Sequence, residues 1–146
     1  MLQEEVVFES YYRCYCVGRE KVRIMPYEPR NANALRYQAN HLPLTPALER
    51  RIVQDTLTLN HALGYDLNTC EFAVRNGVPY AIDFMNWSPD CDRKSVGEEN
   101  FAWVVEAVAK LLLESTFAHS CPLRQPVVAG IRSGNSRRWL CGRRRG

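Results

Sequence analysis

The chain has 146 residues, of which 46% are apolar and 24% charged. This is ordinary for a globular protein and allows one domain or one part of a larger one. No stretch reaches the roughly 18–20 uninterrupted apolar residues of a membrane-spanning helix. Because the first residues are acidic, where a secretory signal would be basic and then apolar, we expect a cytoplasmic protein.

Three strands and a long loop are predicted at the start of the chain. Residues 2–8 and 11–17 are rich in Val, Phe, Tyr and Cys, as strands commonly are. Residues 21–25 alternate polar and apolar side chains, and a turn at Gly18 makes a hairpin with the preceding strand. Residues 26–43 contain Pro and Asn without a period, which predicts a long loop.

Two arginines of that loop, Arg30 and Arg36, are candidates for binding an anionic substrate. A solvated loop arginine is the more common case, so both interpretations stay open.

A helix, a hairpin and a second helix follow. Thr45 before Pro46 is a strong helix start, and Gly64 lies where a C-cap glycine belongs. Strands over 69–75 and 79–85 flank Asn76-Gly77, the residues of a type I′ turn. The second helix, over 98–114, has its apolar stripe at Phe101, Val104, Val105, Val108, Leu111 and Leu112. This order predicts an α+β fold, an antiparallel sheet with helices packed on one face.

The charge distribution divides the chain in two. Residues 1–114 carry 12 basic and 16 acidic side chains, whereas residues 115–146 carry seven arginines and no acid. We therefore predict a domain over 1–114 and a basic, disordered tail over 115–146. The Arg137-Arg138-Trp139 and Arg143-Arg144-Arg145 clusters could contact nucleic acid. Without a folded platform, a solvated tail is the favoured interpretation.

Six cysteines suggest no metal site, because none forms a C-x-x-C pair. Cys14 and Cys16 lie two apart on a predicted strand and so point to one face. We expect the cysteines to be reduced and to pack as small apolar groups. They are Cys14, Cys16, Cys70, Cys91, Cys121 and Cys141.

Oxygen-bearing side chains lie at the open end of the second hairpin. A turn at Asn76-Gly77 brings Glu71 near Asp83 and Asn86. Two carboxylates and an amide oxygen suit magnesium. From spacing alone, the favoured explanation is that Glu71 and Asp83 are ordinary polar residues on the solvent face of a half-buried hairpin.

The stretch from Glu71 to Pro89 resembles the metal-binding signature of the ATP-grasp family, in which an acid, a Gly-containing hairpin, a second acid, an Asn and a Pro follow in order. Residues 12–18 are similar to the family's strand that carries an arginine to the ATP phosphates, and residues 2–7 to its adenine-contacting hinge strand. The helix ending at Gly64 and the helix from Glu98 resemble the two that flank the signature. The resemblance covers residues 2–114, and its nearest types are the ribosomal-protein glutamate ligases and glutathione synthetases.

This resemblance implies the carboxyl-terminal half of an ATP-grasp domain, with ATP and Mg²⁺ as cofactors. Arg13 would neutralise phosphate charge and count as the catalytic residue. The adenine edge would lie at Glu4, Glu5 and Val7. Magnesium would be held by Glu71, Asp83 and Asn86. In such ligases ATP phosphorylates a carboxylate, which an amine or another nucleophile then attacks.

Two features depart from the family pattern. Asp83 lies three residues before Asn86 instead of two, which on a regular strand puts the two side chains on opposite faces. Either a bulge re-aims one of them or Asp83 is not a ligand. The family's amino-terminal lysines have no counterpart in residues 1–146, so we expect an incomplete nucleotide clamp that is not catalytic alone. The alternative is a decayed, non-catalytic domain that associates with a partner chain or with itself.

Overall fold

The computed structural model describes residues 4–37 and 43–120, except for the side chains of Ala34 and residues 117–120. Its strands form one four-stranded antiparallel sheet in the order β2-β1-β3-β4. The elements are β1 (Ser10–Val17), β2 (Lys21–Pro26), a 3-10 turn (Asn33–Leu35), α1 (Pro46–Leu63), β3 (Leu67–Arg75), β4 (Val78–Asn86), α2 (Arg93–Val96) and α3 (Glu98–Ser120).

Helix α1 begins and ends at the predicted residues. The Thr45 hydroxyl accepts a hydrogen bond from the Leu48 N–H, which satisfies one of the free donors of the first turn. Gly64 closes the helix at a φ of 74°, in the left-handed region that favours glycine. The turn between β3 and β4 is also as predicted, because Asn76 and Gly77 both have positive φ values.

Alternation along β1 divides the sheet into two covered faces. The α1 face carries Tyr12, Cys14, Cys70 and Phe72, which pack with Ile52 of α1 in one core cluster. The opposite face, here the α3 face, carries Tyr11, Arg13 and Tyr15 of β1 and Glu71 of β3. On this face Tyr15 packs with Val104 of α3 in a second cluster. The central strand β1 is therefore buried on both sides.

The predicted α+β class and antiparallel sheet are confirmed, but the two long helices do not share a face. We expected both on one side; α1 covers one face and α3 the other. The reason lies in β1, whose apolar and aromatic side chains occur at both odd and even positions and so need cover on both sides.

Three further differences from the predictions concern single elements. Residues 4–8 form no strand, because they join the sheet through the side chains of Val6 and Phe8 rather than through a backbone ladder. The short helix α2 was not predicted. Helix α3 continues past Glu114 to Ser120. Of the predicted tail over residues 115–146, residues 121–146 lie outside the described residues, and the domain division at 114 stays a prediction.

The cysteines that the structure describes are four free thiols. Cys14, Cys16 and Cys70 are fully buried on the sheet, and Cys14 pairs in register with Cys70. As predicted, Cys14 and Cys16 share a face. Within residues 4–37 and 43–120, no helix is both long and apolar enough to cross a membrane.

Candidate functional site

The α3 face of the sheet holds a buried charged group at its centre. Arg13 and Glu71 are register partners on β1 and β3, with 3.5 Å between Nε and Oε1. The Arg13 Nη1 donates a hydrogen bond of 2.8 Å to the Tyr37 hydroxyl. The Tyr11 hydroxyl donates one of 2.7 Å to Glu71 Oε2. Adjacent strands and one loop residue thus fix both charged side chains in place.

Burial and partners set the protonation of this group. The side chains of Arg13 and Glu71 are only 8% and 16% exposed. Burial alone would lower the pKa of Arg13, but Tyr37 and Glu71 outweigh it and leave that pKa above its ordinary value. Burial, reinforced by the hydrogen bond to Glu71, raises the pKa of Tyr11. Arg13 is therefore a permanent cation and Tyr11 a neutral donor.

A second carboxylate lies next to Glu71 on the neighbouring strand. Asp83 of β4 is its direct register partner, and partners across an antiparallel pair project to the same side of the sheet. Both carboxylates contribute to the raised pKa of Tyr11, which places them both in its surroundings. Asp83 is exposed, and its Oδ1 accepts a long 3.4 Å hydrogen bond from the Met85 N–H. The predicted Glu71–Asp83 pair is thus brought together.

A bulge in β4 accounts for the odd spacing of Asp83 and Asn86. The register pairs Thr69 with Asn86 and Glu71 with Asp83, so three positions of β4 span two of β3. Because Thr69 and Glu71 share a face, the register assigns Asn86 to the side of Asp83. Of the two alternatives drawn from the sequence, the bulge is present. Whether Asp83 binds metal stays a prediction.

The donor set of this region fits magnesium chemically. Glu71, Asp83, Asn86 and Thr69 offer only oxygen atoms, which this hard cation prefers. Among the described residues, Thr69 Oγ1 is buried without a hydrogen-bond partner, and Arg13 Nε has only its 3.5 Å ion pair with Glu71. Such atoms call for a ligand or water. In the part of the chain that the structure describes, no three His, Cys, Asp or Glu side chains are grouped to hold a metal ion. A cation here would therefore rely on the amide and hydroxyl oxygens, or on a phosphate.

A mainly apolar cavity of about 370 Å³ adjoins the charged group. It lies between the segment before β1 and the α3 face of the sheet. Tyr11 belongs to both, because its ring lines the cavity and its hydroxyl reaches Glu71. Val7, a predicted adenine-edge residue, is 75% exposed and is not among the lining residues. The residues that line the cavity are Glu4, Glu5, Val6, Phe8, Tyr11, Pro29, Ala73 and Ile82.

The two loop arginines are both engaged within the loop. Arg30 makes hydrogen bonds of 2.7 and 2.6 Å to the two carboxylate oxygens of Glu28 and lies over the Phe8 ring. Arg36 donates to the Tyr27 hydroxyl at 2.9 Å and to the Asn31 carbonyl at 3.1 Å. These contacts favour a structural role over the anion-binding role considered from the sequence.

Three residues near the site were not singled out from the sequence: Tyr11, Tyr37 and Thr69. A signal existed for Tyr11 and Thr69, since each lies two positions from a predicted site residue on the same strand and so shares its face. Tyr37 lies in a loop and is 24 residues from Arg13. No local pattern indicates that contact.

Comparison with known proteins gives a structural likeness only. Neither a protein-family model nor a curated protein matches the sequence. The fold is similar to that of D-alanine–D-alanine ligase from Bacillus anthracis complexed with ATP, with a TM-score of 0.58, 14% identity and 80% of this chain covered. A second structure of D-alanine–D-alanine ligase from that organism matches with a TM-score of 0.55, 17% identity and 80% of this chain covered. The match spans 39% and 42% of those two chains, and at such identity it establishes the fold alone.

Proposed function

We propose that this chain, whose fold is that of part of an ATP-grasp enzyme, binds ATP with magnesium as a portion of a carboxylate–amine or carboxylate–thiol ligase. The observation that carries the proposal is the in-register pair Glu71–Asp83, set beside the buried cation of Arg13. Two facing carboxylates next to a fixed guanidinium suit a metal–phosphate ligand, in which both charges are satisfied.

The adenine would enter the cavity next to Tyr11. Its volume falls in the usual range of small-molecule pockets, about 300–1,000 Å³. Val6, Ala73 and Ile82 supply apolar walls for a flat base. The backbone of residues 4–8 belongs to no strand or helix, and in this arrangement its N–H and C=O groups would meet the polar edge of the base.

The phosphates would extend from Tyr11 toward Arg13. The planar guanidinium is held by Tyr37 and Glu71, and its permanent charge would neutralise phosphate oxygens. Glu71, Asp83 and Asn86 would hold the magnesium ion, with Thr69 as a further oxygen donor. When bound, Mg²⁺ would supply additional neutralisation of phosphate charge. The neutral Tyr11 hydroxyl would keep Glu71 oriented.

The residues of this site would orient ATP and neutralise its phosphate charge, and none of them is placed as a covalent nucleophile. In the proposed ligase reaction a substrate carboxylate attacks the terminal phosphorus, an acyl phosphate and ADP form, and a nucleophile then displaces phosphate. The chain spans about two fifths of the ligases it resembles. We therefore assign it the nucleotide-binding step and leave the acceptor carboxylate unspecified. The cytoplasm, where ATP and reduced thiols occur together, is the proposed location.

A second candidate function is that of a non-catalytic interaction domain. The observation that favours it is the exposed apolar surface of α3, where Val105, Leu112 and Leu113 are 51%, 61% and 60% exposed. Exposed apolar side chains that lie close together on a protein surface commonly mark a protein–protein interface.

Titration of the 146-residue chain with ATP, with and without magnesium, tests the nucleotide proposal. By NMR or calorimetry we expect magnesium-dependent binding with a Kd on the order of 1 mM. Asp83→Asn should weaken it about tenfold, or about 1.4 kcal/mol. The matched control is Asp55→Asn, a carboxylate of α1 paired with Arg51, which should bind as the parent does. Equal affinity in the parent and Asp83→Asn removes Asp83 from the site, and binding that ignores magnesium defeats the proposal.

A further inference from the structure

A second cavity, of about 290 Å³, lies at the amino-terminal end of helix α1 and is here called the α1 cavity. The first turns of α1 form one wall, and residues of β1 and β3 on the α1 face of the sheet form the other. The α1 cavity shares no lining residue with the cavity beside Tyr11. It is therefore separate from the proposed nucleotide site, which lies on the opposite face of the sheet.

Two buried hydroxyl groups face the α1 cavity. Ser10 and Tyr12 are 8% and 2% exposed, and both line it. In the part of the chain that the structure describes, neither hydroxyl makes a hydrogen bond, yet neither oxygen is sealed from solvent. Because the rest of each side chain is covered, the cavity is the space that these oxygens reach. Buried polar groups normally have a partner, so a ligand with hydrogen-bonding atoms fits here.

The amino terminus of α1 adds positive charge at the same place. The Thr45 hydroxyl accepts from the Leu48 N–H, whereas the Ala47 N–H has no acceptor among the described residues. The 18-residue helix also directs the positive end of its dipole into the cavity. Arg51, one turn further along, lines the cavity and binds Asp55 through Nε. These groups together suit a carboxylate.

A negative charge lies at the rim of the same cavity. Glu9 is an exposed lining residue, and its Oε1 accepts a long hydrogen bond of 3.3 Å from the Asn76 N–H. A compact dianion such as phosphate would be repelled by this carboxylate, whereas an ammonium group would be attracted. The lining thus matches a ligand that carries both charges.

We propose that the α1 cavity binds a small aminocarboxylate, a zwitterion with a carboxylate and an ammonium group on one molecule. The carboxylate accepts hydrogen bonds from the Ser10 and Tyr12 hydroxyls and from the Ala47 N–H, and the ammonium pairs with Glu9. The volume is just below the usual range of small-molecule pockets, about 300–1,000 Å³. Only a ligand of few atoms therefore fits.

Titration of the full chain with glycine, followed by NMR, tests the ligand class. We expect the backbone resonances of Tyr12 and Ala47 to shift, with a Kd on the order of 1 mM. Acetate and methylammonium, which each carry one of the two charges, should bind at least about fivefold more weakly. Acetate that binds as tightly as glycine overturns the zwitterion, as does tighter binding of inorganic phosphate. No shift at about 20 mM glycine overturns the site itself.

Two substitutions test the roles of the residues. Tyr12→Phe removes the hydroxyl but keeps the ring, and it should weaken glycine binding about tenfold, as loss of a hydrogen bond to a charged group does. The matched control is Tyr65→Phe, beyond the other end of α1, which should bind as the parent does. Equal affinities in Tyr12→Phe and the parent remove the hydroxyl from the site.

Glu9→Gln separates the two ends of the ligand. The amide oxygen can still accept from the Asn76 N–H, but the charge that attracts the ammonium is lost. Glycine should therefore bind more weakly, while acetate binds no more weakly than to the parent. Equal weakening of glycine and acetate would contradict the pairing of the ammonium with Glu9. Circular dichroism spectra check that each variant is folded.

Discussion

The two faces of the sheet are both buried and yet chemically opposite. Under α1, strand β1 presents Tyr12, Cys14 and Cys16, and their neighbours are apolar side chains, a further thiol and the neutral amides of Asn60 and Asn68. One residue away along the same strand, Arg13 is almost equally buried but carries a charge fixed by Glu71 and Tyr37. Apolar packing, with neutral amides that donate hydrogen bonds to Cys70, explains the first face. A buried ion pair adds little stability relative to apolar residues of similar volume, so the second face calls for a functional reason.

The largest effect should come from the α1 face. Phe72→Ala removes a ring that is 1% exposed and leaves a cavity among Tyr12, Cys14 and Ile52. We expect the free energy of unfolding to fall by about 4 kcal/mol, measured by urea denaturation. A loss below about 1 kcal/mol, the size of a surface change, would show that this face is not the main core.

The α3 face should respond to charge rather than to volume. Arg13→Met leaves Glu71 as a mostly buried carboxylate without its cation, and we expect a loss of about 3 kcal/mol. Arg13→Met/Glu71→Gln should recover much of this, because the amide is neutral and its oxygen still accepts from Tyr11. The control Arg51→Met breaks an exposed pair on α1 and should cost well under 1 kcal/mol. A double variant as unstable as Arg13→Met would contradict an electrostatic origin.

As pH rises above 9, the packing of the α1 face should lose stability first and that of the α3 face at higher pH. Burial raises the pKa of Cys70 from 9.0 to about 12, so above pH 9 the unfolded thiol loses its proton while the folded one keeps it. Stability is then lost as pH rises, at up to about 1.4 kcal/mol per pH unit for each such thiol. Tyr11, whose ordinary value is 10.0 and whose pKa is also raised by burial, adds to the loss only above pH 10.

Denaturation curves at pH 8, 9, 10 and about 10.5 separate these contributions. Cys70→Ser should reduce the slope between pH 9 and 10, because serine does not titrate there. Val78→Ser, at a half-exposed position of β4 whose side chain does not titrate, is the control and should leave the slope unchanged. An unaltered slope in Cys70→Ser would show that the thiols of the α1 face do not govern the alkaline loss.

Local signals predicted the elements whose ends are set by a few residues. Thr45, Pro46 and Gly64 define α1 because capping and the left-handed φ act within one turn. Asn76-Gly77 defines the second hairpin in the same way. Layer arrangement depends on distant packing, which explains why the positions of α1 and α3 on opposite faces were missed.

The site was predictable only where it follows from strand pairing. A hairpin fixes which residues are opposite, so Glu71 and Asp83 could be paired from the position of the turn. The register shift that brings Asn86 opposite Thr69 could be named as an alternative but not chosen, because no residue type specifies a bulge. The contact between Arg13 and Tyr37 joins a strand to a loop across 24 residues, and only the folded chain reveals it.

The irregular pairing of β4 has a further consequence for how the molecule behaves among its neighbours. β4 ends the sheet, so one side of its backbone lacks a strand partner within the described residues. A straight edge of this kind would template the addition of a foreign strand and invite aggregation. Two register shifts near Asp83, together with Pro79, interrupt the row of donors and acceptors. The bulge that brings Asp83 and Asn86 to the same side of β4 should therefore also hinder this edge strand from pairing with strands of other chains.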